Sequence, residues 1–387
     1  VNSSLKIEAL FCANQALDEE ALSAAYLHQQ QLTKPERALG RLEEMALRLA
    51  SCQKTAHPDI KKPWVSVFAA DHGIAVEGVS AYPQVVTQEM VKNFSRGGAA
   101  VSVLANFSHA KFEVIDVGVL EDLAPLEHMV SARVASGTQN FLHHPAMTSE
   151  QCLEAIQVGM QTAQRAFDAK ADLFIAGEMG IGNTTSAAAL TAVLSGKPVH
   201  EVVGEGTGIS FRQKKQKTEI IEQAIALHEP NLTSPLKALQ YLGGLEIASM
   251  TGAYIRCAQL GLPMVIDGVI SSVAAWIGDF VSRNDQLFNC MSVEKLWDLG
   301  KYSMPETLFC TCGSCPRLVD WCFFSHKSVE PAHEVILEAL GVEPMLNFEM
   351  RLGEASGAAL TIPLLQQACA LHNQMATFEQ AGVSQIS

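Results

Sequence analysis

Nowhere does this chain carry a run of about 18 uninterrupted apolar residues. Its most apolar stretch, residues 261–277, is cut by Asp267 and followed by Asp279. No membrane-spanning helix is therefore expected. The first 30 residues are mixed and polar, so no secretory signal is expected either, and a soluble cytoplasmic protein is the simplest reading. Basic residues are scarce: 27 Lys and Arg stand against 41 Asp and Glu, a net charge of −14. Nucleic-acid binding needs a basic face and is not expected. A small phosphate-bearing molecule is still allowed, because backbone N–H groups and one or two cations suffice to hold it. Neither a Walker A loop nor a G-x-G-x-x-G fingerprint occurs. The ten cysteines read as reduced thiols rather than a disulfide frame in a large cytosolic α/β chain.

What the chain does have is core material, with 48 % apolar residues over 387 positions, and a repeated theme. Four apolar runs each stop at a carboxylate beside a glycine. Residues 64–70 end in Asp71-His72-Gly73, and residues 112–115 in Asp116-Val117-Gly118. Residues 173–176 end in Gly177-Glu178-Met179-Gly180, and residues 263–266 in Asp267-Gly268. Short β-rich runs alternating with helical stretches predict a doubly wound, Rossmann-like parallel α/β sheet. Ligands of such sheets gather beyond the carboxyl ends of the strands.

Helices are predicted over 4–31, around 39–49, and over 84–106, 149–169, 184–195, 211–227, 235–241, 244–260, 328–340 and 358–375. Residues 34–340 read as a large α/β domain holding the site. Residues 1–33 and 341–387 read as a small helical lobe made from both chain ends. Residues 283–320 break the rhythm and read as an irregular, cysteine-containing insertion. Its Cys310-x-Cys312-x-x-Cys315 cluster, with Cys322 beyond, invites zinc, but the halves are uneven and free thiols are the simpler reading.

Three further motifs carry chemistry. Residues 177–188 run from strand through a glycine loop into a helix start, where Asn183 or Thr184 can cap the helix and an anion can meet its positive end; an ordinary βα turn is the plain alternative. A second glycine loop, residues 203–208, precedes Arg212, Lys214, Lys215 and Lys217, either part of a phosphate pocket or a solvated helix face. In residues 349–359 Glu354 stands among small residues, a general base if desolvated or a helix-start carboxylate stabilised by the dipole. His72 follows a strand acid and can face the same site. His57, His143 and His144 read as surface, and His333 has no second His a turn away for zinc.

At these residues the chain resembles the nicotinate-nucleotide–dimethylbenzimidazole phosphoribosyltransferase family of cobalamin lower-ligand assembly. The shared segments span most of the sequence: Leu39-Gly40-Arg41-Leu42-Glu43, Ala70-Asp71-His72-Gly73, Glu77-Gly78-Val79, Arg96-Gly97, Asp116-Val117-Gly118, Gly177-Glu178-Met179-Gly180 with Asn183-Thr184-Thr185, Gly243-Gly244, Asp267-Gly268 and Met350-Arg351-Leu352-Gly353-Glu354.

The resemblance implies a Rossmann-like domain plus a small lobe, assembled as a homodimer. It implies transfer of the 5-phosphoribosyl group of nicotinate mononucleotide to an aromatic base, with no metal and no cofactor. Glu354 falls on the family's general base and Glu178 on a second acid. Gly180, Gly206 and Lys217 fall on phosphate-binding positions, with Ser328 and Arg351 nearby and Asn183, Thr184 and Asp267 as further substrate contacts. Tyr82, Met90, Met179 and Leu352 fall on the base pocket, where Tyr82-Pro83 replaces the Ser-Pro of many relatives. A phenol or adenine-type base, a Mg²⁺-dependent phosphohydrolase and a non-catalytic nucleotide-binding module are the alternatives left open.

Overall fold

All four acid-terminated runs are strands of one sheet. In the computed structural model, which describes residue 10 and residues 12–204, 211–283 and 316–384, the strands are β1 (Pro63–Ala70), β2 (Lys111–Gly118), β3 (Met129–Ser131), β4 (Leu173–Met179), β5 (Met264–Ile266) and β6 (Cys322–Phe324). Every pairing is parallel and the order is β3-β2-β1-β4-β5-β6. The chain leaves β3 at one edge and re-enters as β4 on the far side of β1. The strand order therefore reverses between β1 and β4, where a crevice opens above the carboxyl ends.

Side chains of the central strands are buried on both faces, as helices on both sides require. Phe68, Ala70, Ile115, Phe174, Ala176 and Ile266 point into one core. There they meet helices Ser149–Asp168, Asn183–Ser195, Leu245–Leu260, Val269–Ser282 and Pro331–Leu340. Val65, Val67, Ala69, Val114, Ile175 and Val265 point into the other, under helices Arg41–Gln53, Val85–Ser95, Ala100–Phe107 and Ser356–Gln374.

The expected helix over 84–106 is two helices, divided at Gly97-Gly98, where Gly97 turns the chain at φ +79°. Of the helices expected over 4–31, the one among the described residues spans Glu19–Gln31, where Asp18 caps it by accepting the Ala21 N–H at 2.7 Å. Strands β3 and β6, three residues each, had no sequence-level expectation. Helices Glu19–Gln31 and Ser356–Gln374 both pack on Arg41–Gln53, and Leu32 bridges to Thr377. The proposed lobe of residues 1–33 and 341–387 rests on these contacts.

Two ends of the sequence-level insertion are described, and they meet on one carboxylate. Asp279, buried in the Val269–Ser282 helix, pairs with Arg283 and lies 3.2 Å from Arg317 Nη2. Beyond Arg317 a buried turn, Leu318–Trp321, leads directly into β6. Cys310, Cys312 and Cys315 lie outside the described residues; Cys322 is a buried strand thiol.

Candidate active site

A cleft of about 440 Å³ opens above β1, β4 and β5, within the roughly 300–1,000 Å³ of small-molecule sites. Tyr82, Met90, Met179 and Leu352 line it, as do Glu178, Gly180, Asn183, Thr184, Asp267, Ser328, Arg351 and Glu354. Residues from opposite ends of the chain are thus brought to one place. Gly206 lies outside the described residues. Lys217 does not line the cleft but stands behind it, where its Nζ donates to Thr184 Oγ1 at 2.8 Å. Of the basic cluster only Lys217 is buried, and burial draws its ammonium down to about 8 against the opposing charge of Glu330. Arg212 and Lys215 face solvent, as a surface helix face would.

The turn carrying Glu354 is the most constrained backbone of the site. Gly353, Glu354 and Ala355 follow one another at φ +80°, +62° and +63°. A left-handed conformation costs a non-glycine residue on the order of 1 kcal/mol or more, and such strain persists only where the surroundings impose it. Here β4 imposes it. Gly177 has no side chain, and a Cβ there would come within 2.6 Å of the Ala355 methyl and 2.7 Å of its backbone nitrogen. The turn therefore sits directly on the strand. A Cβ on Gly353 would collide with Glu178 Oε1. That same oxygen accepts the Glu354 N–H at 3.2 Å, while Asn183 Nδ2 donates to Glu178 Oε2.

Three carboxyl groups meet here, all with raised proton affinity. Burial pushes Glu354 up to about 7, with the charge of Asp267 adding to it. Glu178 is raised well above the usual carboxylate range by burial, against the Glu354 N–H that favours its charged form. Asp267 is raised by burial too, against His326 and the Ala358 N–H, which donates to Oδ1 at 2.8 Å.

The glycine loop differs from expectation in one respect. Neither Asn183 nor Thr184 caps the Asn183–Ser195 helix. Gly182, at φ +101°, is its first flanking residue, with no side-chain cap. Asn183 is committed to Glu178 and Thr184 to Lys217. The positive end of the helix lines the cleft without a side-chain cap, although the Asn183 and Thr185 N–H groups donate to the Gly180 and Gly182 carbonyls, and its dipole favours an anion there.

His72 does not face the cleft. It is buried behind the glycine loop, with Nε2 2.6 Å from Glu246 Oε1 and Nδ1 3.1 Å from Ser186 Oγ. Sequence reasoning missed His326 and Glu330, which also line the cleft. The signal was available in Ser325-His326-Lys327-Ser328-Val329-Glu330, a polar run directly after an apolar one. His333 is a strut: its Nδ1 accepts the Ser328 N–H at 2.9 Å and its Nε2 lies 3.0 Å from Ser272 Oγ. A second histidine group, His28, His57 and His372, lies near the chain ends, and both ring nitrogens of His372 already have partners in Gln29 Nε2 and the Ala56 carbonyl.

A parallel doubly wound sheet, with carboxyl groups and an open helix N-terminus at its switch point, defines an α/β enzyme for a small anionic ligand. Comparison with known proteins narrows the class. A family model described as phosphoribosyltransferase matches residues 14–290 and 306–383. The nicotinate-nucleotide–dimethylbenzimidazole phosphoribosyltransferase of Pseudomonas aeruginosa strain UCBPP-PA14 is 46 % identical over 367 residues, covering 95 % of each chain. That of Xanthomonas axonopodis pv. citri strain 306 is 43 % identical over 380 residues, covering 98 % of this chain and 99 % of its own. The crystal structure of the Thermus thermophilus enzyme superposes with a TM-score of 0.81 at 40 % identity, covering 96 % of this chain and all of its own. The chain belongs to the nicotinate-nucleotide–dimethylbenzimidazole phosphoribosyltransferase family.

Proposed function

We infer that this protein transfers the 5-phosphoribosyl group of nicotinate mononucleotide to 5,6-dimethylbenzimidazole, giving α-ribazole 5′-phosphate and nicotinate. Family membership supports the reaction. The observation that carries its mechanism is Glu354, a carboxyl held near 7 at the rim of an apolar pocket.

The bond that breaks joins C1′ of the ribose to a pyridinium nitrogen. That nitrogen keeps the electron pair and leaves as a neutral ring, so no acid is needed to protonate it. The unprotonated ring nitrogen of the benzimidazole forms the new bond from the opposite face, which converts a β-nucleotide into an α-product. The incoming ring then carries a positive charge and a surplus N–H proton. Glu354 takes that proton. With its affinity near 7, it is a stronger base than an ordinary glutamate and still largely ionised at slightly alkaline pH.

Met90, Met179, Tyr82 and Leu352 present the apolar wall on which the base lies; Tyr82 and Leu352 are each half exposed, an open side through which it enters. The phosphate sits at the Asn183–Ser195 helix start with Thr184, Ser328 and Arg351, and Lys217 supplies its charge through Thr184. Glu178, whose proton affinity burial raises, holds the Glu354 turn and Asn183 in place beside the ribose. Asp267 raises the basicity of Glu354.

The working protein is proposed to be a cytoplasmic homodimer; among the described residues no helix is long and apolar enough to cross a membrane. Incubation of the purified protein with both substrates, followed by mass-resolved chromatography, tests the reading. Equimolar nicotinate and α-ribazole 5′-phosphate are expected; nicotinate released at the same rate with no base present would instead indicate a hydrolase.

A further inference from the structure

Among the described residues, His326 is the one cleft histidine, and the mechanism above leaves it unused. It is only 2 % exposed, and yet it borders the cleft. Its hydrogen bonding fixes where its proton resides. Ser325 Oγ donates to the Asp267 backbone carbonyl at 3.2 Å. A carbonyl only accepts, so the single hydroxyl hydrogen is spent there and Ser325 Oγ has only lone pairs left. His326 Nδ1, 3.0 Å away, must then be the donor to Ser325. The neutral ring consequently carries its lone pair on Nε2.

Among the described residues the hydrogen bond of the His326 ring is made at Nδ1, and none is made at Nε2. Gly268, which also lines the cleft, is its neighbour: a Cβ added there would stand 3.8 Å from Nε2. On its other side the ring presses on Gly357, where any Cβ would strike Nδ1. The ring is thus held through Nδ1 and by Gly357, and Nε2 of this cleft-lining residue is left to accept from a ligand donor.

The position of His326 identifies the donor. Asp267, which acts on Glu354 at the base end, lies 3.9 Å from Nδ1. Ser328, assigned to the phosphate end, follows two residues later. Between the base and the phosphate of a mononucleotide lies the ribose, whose neutral donors are its 2′ and 3′ hydroxyls. We propose that His326 Nε2 accepts a hydrogen bond from a ribose hydroxyl of the phosphoribosyl donor, with Ser325 acting as the positioning residue that fixes the imidazole tautomer. The proposal rests on the reading above for the identity of that donor.

Calorimetric binding of nicotinate mononucleotide and of its 2′-deoxy and 3′-deoxy forms, in the absence of base, tests this as a cycle against His326→Ala. With the wild type, one deoxy form is expected to bind about tenfold more weakly, the size of one neutral hydrogen bond to a buried group. With His326→Ala the same deletion should cost less than about threefold. Equal losses in both proteins, for both deoxy forms, overturn the assignment. Should His326→Ala fail to fold, Ser325→Ala, which keeps the ring and frees its tautomer, enters the same cycle. A reduced hydroxyl effect then supports the proposal and an unchanged one overturns it. If nicotinate mononucleotide itself fails to bind the wild type, the substrate reading falls with it; binding with an additive cycle sinks only the role of His326.

Discussion

At the scale of single residues, Glu354 combines two properties that pull apart. Its proton affinity is raised from the ordinary range to about 7. Between about 4.5 and 7 the folded protein therefore holds a proton that the unfolded chain has lost, and stability falls as pH rises through that window. Glu354→Gln should accordingly melt higher than wild type at pH 8, by a free-energy gain of up to about 3 kcal/mol, with the difference vanishing toward pH 4. The same substitution should lower kcat by about 10²–10⁴-fold with little change in substrate binding. Wild-type kcat/KM should climb with pH and level off above about 7, and the variant should lose that ionisation. Calorimetric melts and pH–rate profiles check both. Lys217→Met probes the other end of the cleft. Removing the buried ammonium behind Thr184 should raise KM for nicotinate mononucleotide about tenfold or more, read from initial rates with the base saturating.

Among the elements, the turn at 353–355 and strand β4 behave as one unit. Gly353→Ala forces a side chain into the left-handed region and against Glu178. It should cost about 1–3 kcal/mol of stability and a still larger share of turnover, because relief of the clash moves both acids. A variant with full kcat and an unchanged melting temperature would show that the turn adapts freely. Such coupling was invisible from the residues alone. Gly353-Glu354 announced small, exposed backbone, but not that Gly177 in a strand far away is what the turn rests on. The strands themselves were legible, since β1, β2 and β4 are long apolar runs with period and punctuation. The edge strands β3 and β6 were not, because three residues carry no pattern. The helix break at Gly97-Gly98 was read through, for isolated glycines are tolerated within helical periodicity. His72 was expected to face the cleft, whereas His326, for which there was no expectation, lines it. A histidine after a strand acid looked like a cleft residue, yet Glu246 and Ser186 hold it behind the loop.

For the molecule as a whole, the site is assembled by topology. Glu178 ends one strand, Asp267 another, and Glu354 arrives from the far end of the chain on the opposite face of the sheet. No local window of sequence contains enough of it to identify the chemistry, which is why strand-end acids pointed to the place and the family resemblance was needed for the reaction. Asp279 bears on how this architecture tolerates change. Because Arg283 and Arg317 converge on a single side chain, the two described ends of the 283–320 stretch are fastened at one staple. The family match breaks between residues 290 and 306, inside that interval. With the match broken there, excision of residues 291–305 should leave the melting temperature within about 2 °C and turnover intact, whereas Asp279→Ala, which unfastens both ends at once, should cost about 1–2 kcal/mol, since each arginine it frees is about a third exposed to water.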